Sequence, residues 1–173
     1  MSVLGIDPGV TGGMALVSAD ACHVGLYDMP TTERQVIRAT RQIKGKPPPK
    51  TKTKKQIARS VNAALLTVWL KEWRPTQVYC ERSGPRPGEG VSSAYTAGRV
   101  MGTIEGVLAA LGITVTYFHP TVWKRAMGLN GKSKADSIAR AIELYPQVAD
   151  QLTRKKDHGR AEALLITHYG ESK

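Results

Sequence analysis

Apolar and polar positions alternate along this chain with two different periods, and each change of period marks an element. Ser2-Val3-Leu4-Gly5-Ile6-Asp7 is a short apolar run that stops at Pro8-Gly9, and Gly12-Gly13-Met14-Ala15-Leu16-Val17 resumes it after a turn. The pair reads as a β-hairpin, with a third strand over about 22–28. From Gln56 to Trp73 the apolar positions Ile57, Val61, Ala64, Leu65, Val68 and Trp69 recur at helical spacing and predict one amphipathic helix, which Pro75 stops. Gln77–Glu81 reads as a strand leaving into a loop of turn formers, 83–88. A helix is expected over about 92–111, a strand over 113–118, short helices over 121–127 and 134–144, and a last helix over 158–169. That order, β-β-β-α-β-α-β-α-α-α without an internal repeat, calls for an α/β fold. It would be one domain, 1–173, with helices on the faces of a mixed sheet.

Charge narrows the function. The 25 Lys and Arg against 14 Asp and Glu give a net charge of +11, which points to a polyanionic partner, nucleic acid first. The excess is regional: eleven basic residues and no acid lie between Arg34 and Lys71, and the rest of the chain carries fourteen of each sign. Within that stretch, Lys44 to Lys52 holds three prolines among repelling lysines. A mobile basic loop is expected over about 44–55, able to release counterions from DNA. No apolar run approaches the roughly 18 residues that span a bilayer, and the chain does not open on a signal-peptide pattern, so neither a membrane span nor export is expected. Cys22 and Cys80 have no metal-ligand spacing and read as small buried hydrophobes in a reducing compartment, cytoplasm or an organelle matrix.

Asp7 is the only charged side chain among the first nineteen residues, and it ends the first strand just before a Pro-Gly turn. Glu81 repeats the arrangement at the end of a later strand. If those strands are neighbours the carboxylates converge, and their repulsion calls for a proton or a hard cation between them, Mg²⁺ by donor chemistry. Glu162 stands among alanines and leucines on the last helix, where a buried carboxylate is costly unless a cation offsets it. His158, four residues earlier, shares its face, and Asp157 is either a further ligand or the helix N-cap. Asp before Pro-Gly is also ordinary turn chemistry, but the three acids together favour the metal site. Gly98, Gly102 and Gly106 share one helix face and would let another backbone come close, from the sheet or from a second subunit.

In order along the chain, Gly5-Ile6-Asp7-Pro8-Gly9, Glu81-Arg82 and Asp157-His158-Gly159-Arg160-Ala161-Glu162-Ala163-Leu164-Leu165 resemble the RuvC-type Holliday junction resolvases. The likeness is greatest to their chloroplast branch and its bacterial and phage relatives. Arg154-Lys155-Lys156 ahead of the last motif is similar to that branch too, as is Thr121-Val122-Trp123-Lys124 followed by Gly128-Leu129, Lys132 and Lys134. It covers nearly the whole chain outside about 40–55. The resemblance implies an RNase H-like fold, a five-stranded mixed sheet whose first and fourth strands lie side by side. It also implies that Asp7, Glu81, Asp157 and Glu162 bind two Mg²⁺ ions, with Mn²⁺ as a substitute. In bacterial RuvC the last two acidic positions are three apart, whereas Asp157 and Glu162 are five apart and Gly159 fills the three-apart place. Asp157 therefore carries over through the chloroplast branch alone, and His158 is the alternative.

The activity so implied is that of a Mg²⁺-dependent endodeoxyribonuclease making paired symmetric nicks in four-way junctions. Lys132, with Lys134 beside it, is suited to holding a phosphate of the DNA or the transition-state charge. Arg82, Lys124, Lys155, Lys156 and Arg160 are expected on DNA, and Tyr95 on a base at the junction centre. Two symmetric cuts call for a homodimer, with the Gly98/Gly102/Gly106 helix as candidate contact. A nuclease for RNA:DNA hybrids or flaps would use the same carboxylates, and a non-catalytic junction binder would need only the charge. The first motif also resembles the phosphate loop of actin-like ATPases and sugar kinases, but 173 residues leave no room for the second domain those need.

Overall fold

The computed structural model describes residues 1–37, 55–82, 84 and 88–173. β1 (Ser2–Asp7), β2 (Gly13–Ser18) and β3 (Val24–Asp28) make an antiparallel meander, and β4 (Thr31–Ile37) pairs with β5 (Lys55–Val61) as a separate hairpin. There follow α1 (Ala63–Trp73), β6 (Gln77–Glu81), α2 (Val91–Ala110), β7 (Val115–Phe118), α3 (Pro120–Ala126) and α4 (Lys134–Leu144). Two short 3-10 turns, Pro146–Gln151 and Lys155–Asp157, lead into α5 (His158–Glu171). β6 joins β1 in parallel and β7 joins β6 likewise, so the order is β3-β2-β1-β6-β7. This is the mixed five-stranded sheet the sequence called for, with its first and fourth strands adjacent.

Strand alternation divides the core in two. Leu4, Ile6, Met14, Val78 and Cys80 point to one face, closed by Leu66 and Leu70 of α1 and by Ile104 and Leu108 of α2. Ala15, Val17 and Leu26 meet α5, which α3 and α4 back with Trp123 and Ala141. Because α5 is covered by the sheet on one side and by helices on the other, it is buried almost all round. Its seat on the sheet is unusually close. A Cβ at Gly5 would collide with Thr167 Oγ1 and the Ala163 carbonyl, one at Gly13 would lie 2.5 Å from Arg160 N, and one at Gly159 would lie 2.8 Å from Thr11 O. Glycine on both partners thus lets the N-terminus of α5 rest on the β1–β2 turn, directly beyond Asp7.

Two expectations change. Residues 56–61, expected as the first turns of a helix, belong to β5, and the helix starts at Ala63 with Asn62 as N-cap, its side chain accepting from Leu65 N–H at 3.1 Å. The pairing runs from Thr31↔Val61 to Ile37↔Lys55, a long-range ladder that no local periodicity reports. Cys22 is exposed, and Cys80 alone is buried. Apart from Lys55, the expected basic loop lies outside the described residues. Among those described, no helix is long and apolar enough to cross a membrane.

Candidate active site

β1 and β6 run parallel with Ile6 opposite Cys80, so the residues that follow, Asp7 and Glu81, leave the sheet side by side. They share the face of Gly5 and Tyr79, the side against which α5 packs. Glu162 comes down on the pair from α5, one turn past the Gly159 contact. All three line a single cleft of about 350 Å³, together with Thr11, Lys124, Lys132, Lys134, Ser137 and His158.

Neighbouring side chains hold these acids. Glu81, buried, accepts from Trp123 Nε1–H at 2.9 Å. Glu162 accepts from Lys124 Nζ at 3.2 Å on both oxygens and from Ser137 Oγ at 3.1 Å. Burial pushes the Asp7 carboxyl well above the ordinary carboxylate range, the charges of Glu162 and then Glu81 push it further, and Lys124 and Lys134 pull it back. The cleft therefore gathers oxygen donors that burial and mutual repulsion make costly to ionise together, which suits a hard divalent cation. Among the described residues no three His, Cys, Asp or Glu side chains close tightly enough to hold a metal. In this conformation the Lys124 ammonium is the counter-charge on Glu162.

Lys134 Nζ lies 2.9 Å from His158 Nε2, and His158 Nδ1 lies 3.2 Å from the Lys155 carbonyl. A carbonyl only accepts, so this network assigns the proton to Nδ1 and makes Nε2 the acceptor of the Lys134 ammonium.

Asp157 is not brought there, contrary to its expected place among the ligands. It is buried, and its carboxylate is bound by Arg154 through the backbone N–H at 2.8 Å and Nη2 at 2.7 Å, with Nε at 3.1 and 3.2 Å. The Arg154 guanidinium holds its carboxyl below the usual range, and the pair closes the turn into α5. Arg160, expected on DNA, is paired with Asp28 at 2.7 Å. Arg82, Lys132, Lys155 and Lys156 are exposed, and Tyr95 is 67% exposed with the Arg99 guanidinium 5.8 Å from its ring centre. A Cβ at Gly98, Gly102 or Gly106 would meet nothing within 4 Å, so that face of α2 does not pack on the sheet. Trp123 and Ser137 escaped the sequence reading. Trp123 sat in a motif read for its lysine, and Ser137 is an ordinary helical serine until α4 is laid against α5.

No protein-family profile matches the chain. The chloroplastic Holliday junction resolvase MOC1 of Chlamydomonas reinhardtii is 35% identical over 161 residues, a match spanning 86% of this chain and 17% of that protein's length. The solved structure of T. thermophilus RuvC in complex with Holliday junction substrate superposes with a TM-score of 0.58 at 18% identity, covering 98% of this chain and 91% of that one. A second Thermus thermophilus RuvC structure gives 0.52 at 19% identity, over 98% and 92%. The fold is RNase H-like, and the likeness to RuvC-type Holliday junction resolvases that the motifs carried is borne out in both sequence and structure.

Proposed function

We propose that this chain is a Holliday junction resolvase, an endonuclease that nicks four-way DNA junctions symmetrically by metal-assisted phosphodiester hydrolysis. The carrying observation is the convergence of Asp7, Glu81 and Glu162, from three separate elements, in one lysine-rimmed cleft. The junction as substrate is supported by what the chloroplast relative is named for and by the DNA in the RuvC complex.

The carboxylate oxygens of Asp7, Glu81 and Glu162 fit Mg²⁺, with Mn²⁺ as a substitute, and the His158 imidazole, which lines the cleft, would take the fourth place in preference to Asp157 once Lys134 gives up its Nε2. A bound pair of such ions supplies Lewis acidity, making a water more acidic and offsetting charge at phosphorus. Ser137 and Lys124 hold Glu162 toward the cleft, and Lys132 and Lys134 offer ammonium groups to a phosphate there. Lys155, Lys156 and Arg82 would grip neighbouring phosphates, and Tyr95 would stack on a base. Arg160 acts indirectly, tying α5 to β3 through Asp28. Two copies would meet through the open Gly98/Gly102/Gly106 face of α2, which carries Val91 and Tyr95, both exposed.

Incubating immobile junctions, flaps and RNA:DNA hybrids with the protein and Mg²⁺ tests this reading. Paired symmetric nicks confined to the junction are expected, and Asp7→Asn should bind junctions without cutting. Preferential cutting of hybrids or flaps, or wild-type nicking by Asp7→Asn, refutes it.

A further inference from the structure

We infer that Trp123 is a positioning residue of the metal site, orienting Glu81 through its indole N–H and carrying Lys124 over Glu162 on its ring face. The inference rests on the metal-dependent reading above.

Trp123 is 0% exposed, yet its one polar atom donates to Glu81 Oε2 at 2.9 Å. A buried indole N–H needs an acceptor and a buried carboxylate needs donors, so the bond satisfies both. The donor is neutral. It holds one oxygen in place without bringing a positive charge of its own.

The next residue completes the arrangement. Lys124 Nζ lies 5.0 Å from the Trp123 ring centre and 3.2 Å from both Glu162 oxygens. α3 starts on Pro120 at its first position behind the His119 cap, and it carries Trp123 and Lys124 as consecutive residues. One short helix therefore fixes acids that belong to β6 and to α5.

Hydrogen-bond partners standing behind metal ligands are worth about 10- to 100-fold in metal affinity. Trp123→Phe keeps an aromatic ring face but loses the N–H and part of the buried bulk. Mn²⁺ binding, read from loss of the free-ion EPR signal, should weaken by about 10- to 100-fold in this variant. Its junction binding in EDTA should be unchanged, and its nicking should recover as Mg²⁺ is raised, which a general structural defect would not allow. A folded Trp123→Phe protein with wild-type Mn²⁺ affinity overturns the inference. Should the variant fail to fold, the wild-type indole N–H resonances decide, assigned with Trp69→Phe and Trp73→Phe. Mg²⁺ should move the Trp123 signal and leave the other two in place, and an unmoved Trp123 signal overturns the inference. Wild-type protein that binds no Mn²⁺ refutes the metal reading itself.

Discussion

Gly159→Ala should damage the candidate site without changing any side chain that lines it. The new Cβ would lie 2.8 Å from Gly12 C and Thr11 O and 2.9 Å from Gly12 Cα, where ordinary contact begins at 3.4 Å. All three atoms are backbone, so nothing can rotate away, and the N-terminus of α5 must retreat by about half an ångström from a close-packed turn. Overpacking of this kind costs about 1–3 kcal/mol, and the better helix propensity of alanine returns at most about 1 kcal/mol. A net loss of about 1–2 kcal/mol is expected. Glu162 lies one turn further along the same rigid helix. Its contacts to Lys124 at 3.2 Å and Ser137 at 3.1 Å are already at the long end for hydrogen bonds, so the same displacement breaks them. A misplacement of about 1 Å costs roughly 100-fold in rate, so half of it should cost about tenfold. Urea unfolding in EDTA gives the stability, and single-turnover nicking of a junction with Mg²⁺ gives the rate. If Gly159→Ala is as stable as the wild type and nicks as fast, the glycine contact is not what seats Glu162.

Asp7→Asn should raise the melting temperature of the metal-free protein at neutral pH. Because the Asp7 carboxyl is raised in the fold, its contribution is fully present below the ordinary carboxylate range and is lost as pH rises through the elevated value. The gap between variant and wild type in EDTA should therefore widen as pH rises above the ordinary carboxylate range, and a variant that melts lower than the wild type at neutral pH contradicts the assignment. Asp157→Asn should cost about 1–2 kcal/mol of stability, discounted because Arg154 is half exposed, and leave Mn²⁺ affinity unchanged. His158→Ala should do the reverse, and Mn²⁺ titration with urea unfolding separates the two outcomes. Gly102→Ala should stabilise an isolated chain by about 1 kcal/mol yet weaken self-association in sedimentation. An unaltered dimer would move the contact off α2.

The sequence by itself determined most elements and three of the acids. Asp7, Glu81 and Glu162 were legible because an isolated carboxylate at a strand end, or amid alanines and leucines, is anomalous in its own neighbourhood. It could not place residues 56–61, since Ile57 and Val61 satisfy a helical period as well as a strand, and the deciding partner, β4, lies across a long intervening segment. Nor could it choose between Asp157 and His158. One residue of offset at a helix start decides which side chain faces the cleft, and that offset is set by Arg154 closing the preceding turn and by Gly159 resting on Gly12. Trp123 and Ser137 were silent for the same reason. A hydrogen bond between elements far apart in the chain exists only once the sheet, α3, α4 and α5 have packed, and no single stretch of sequence encodes that meeting.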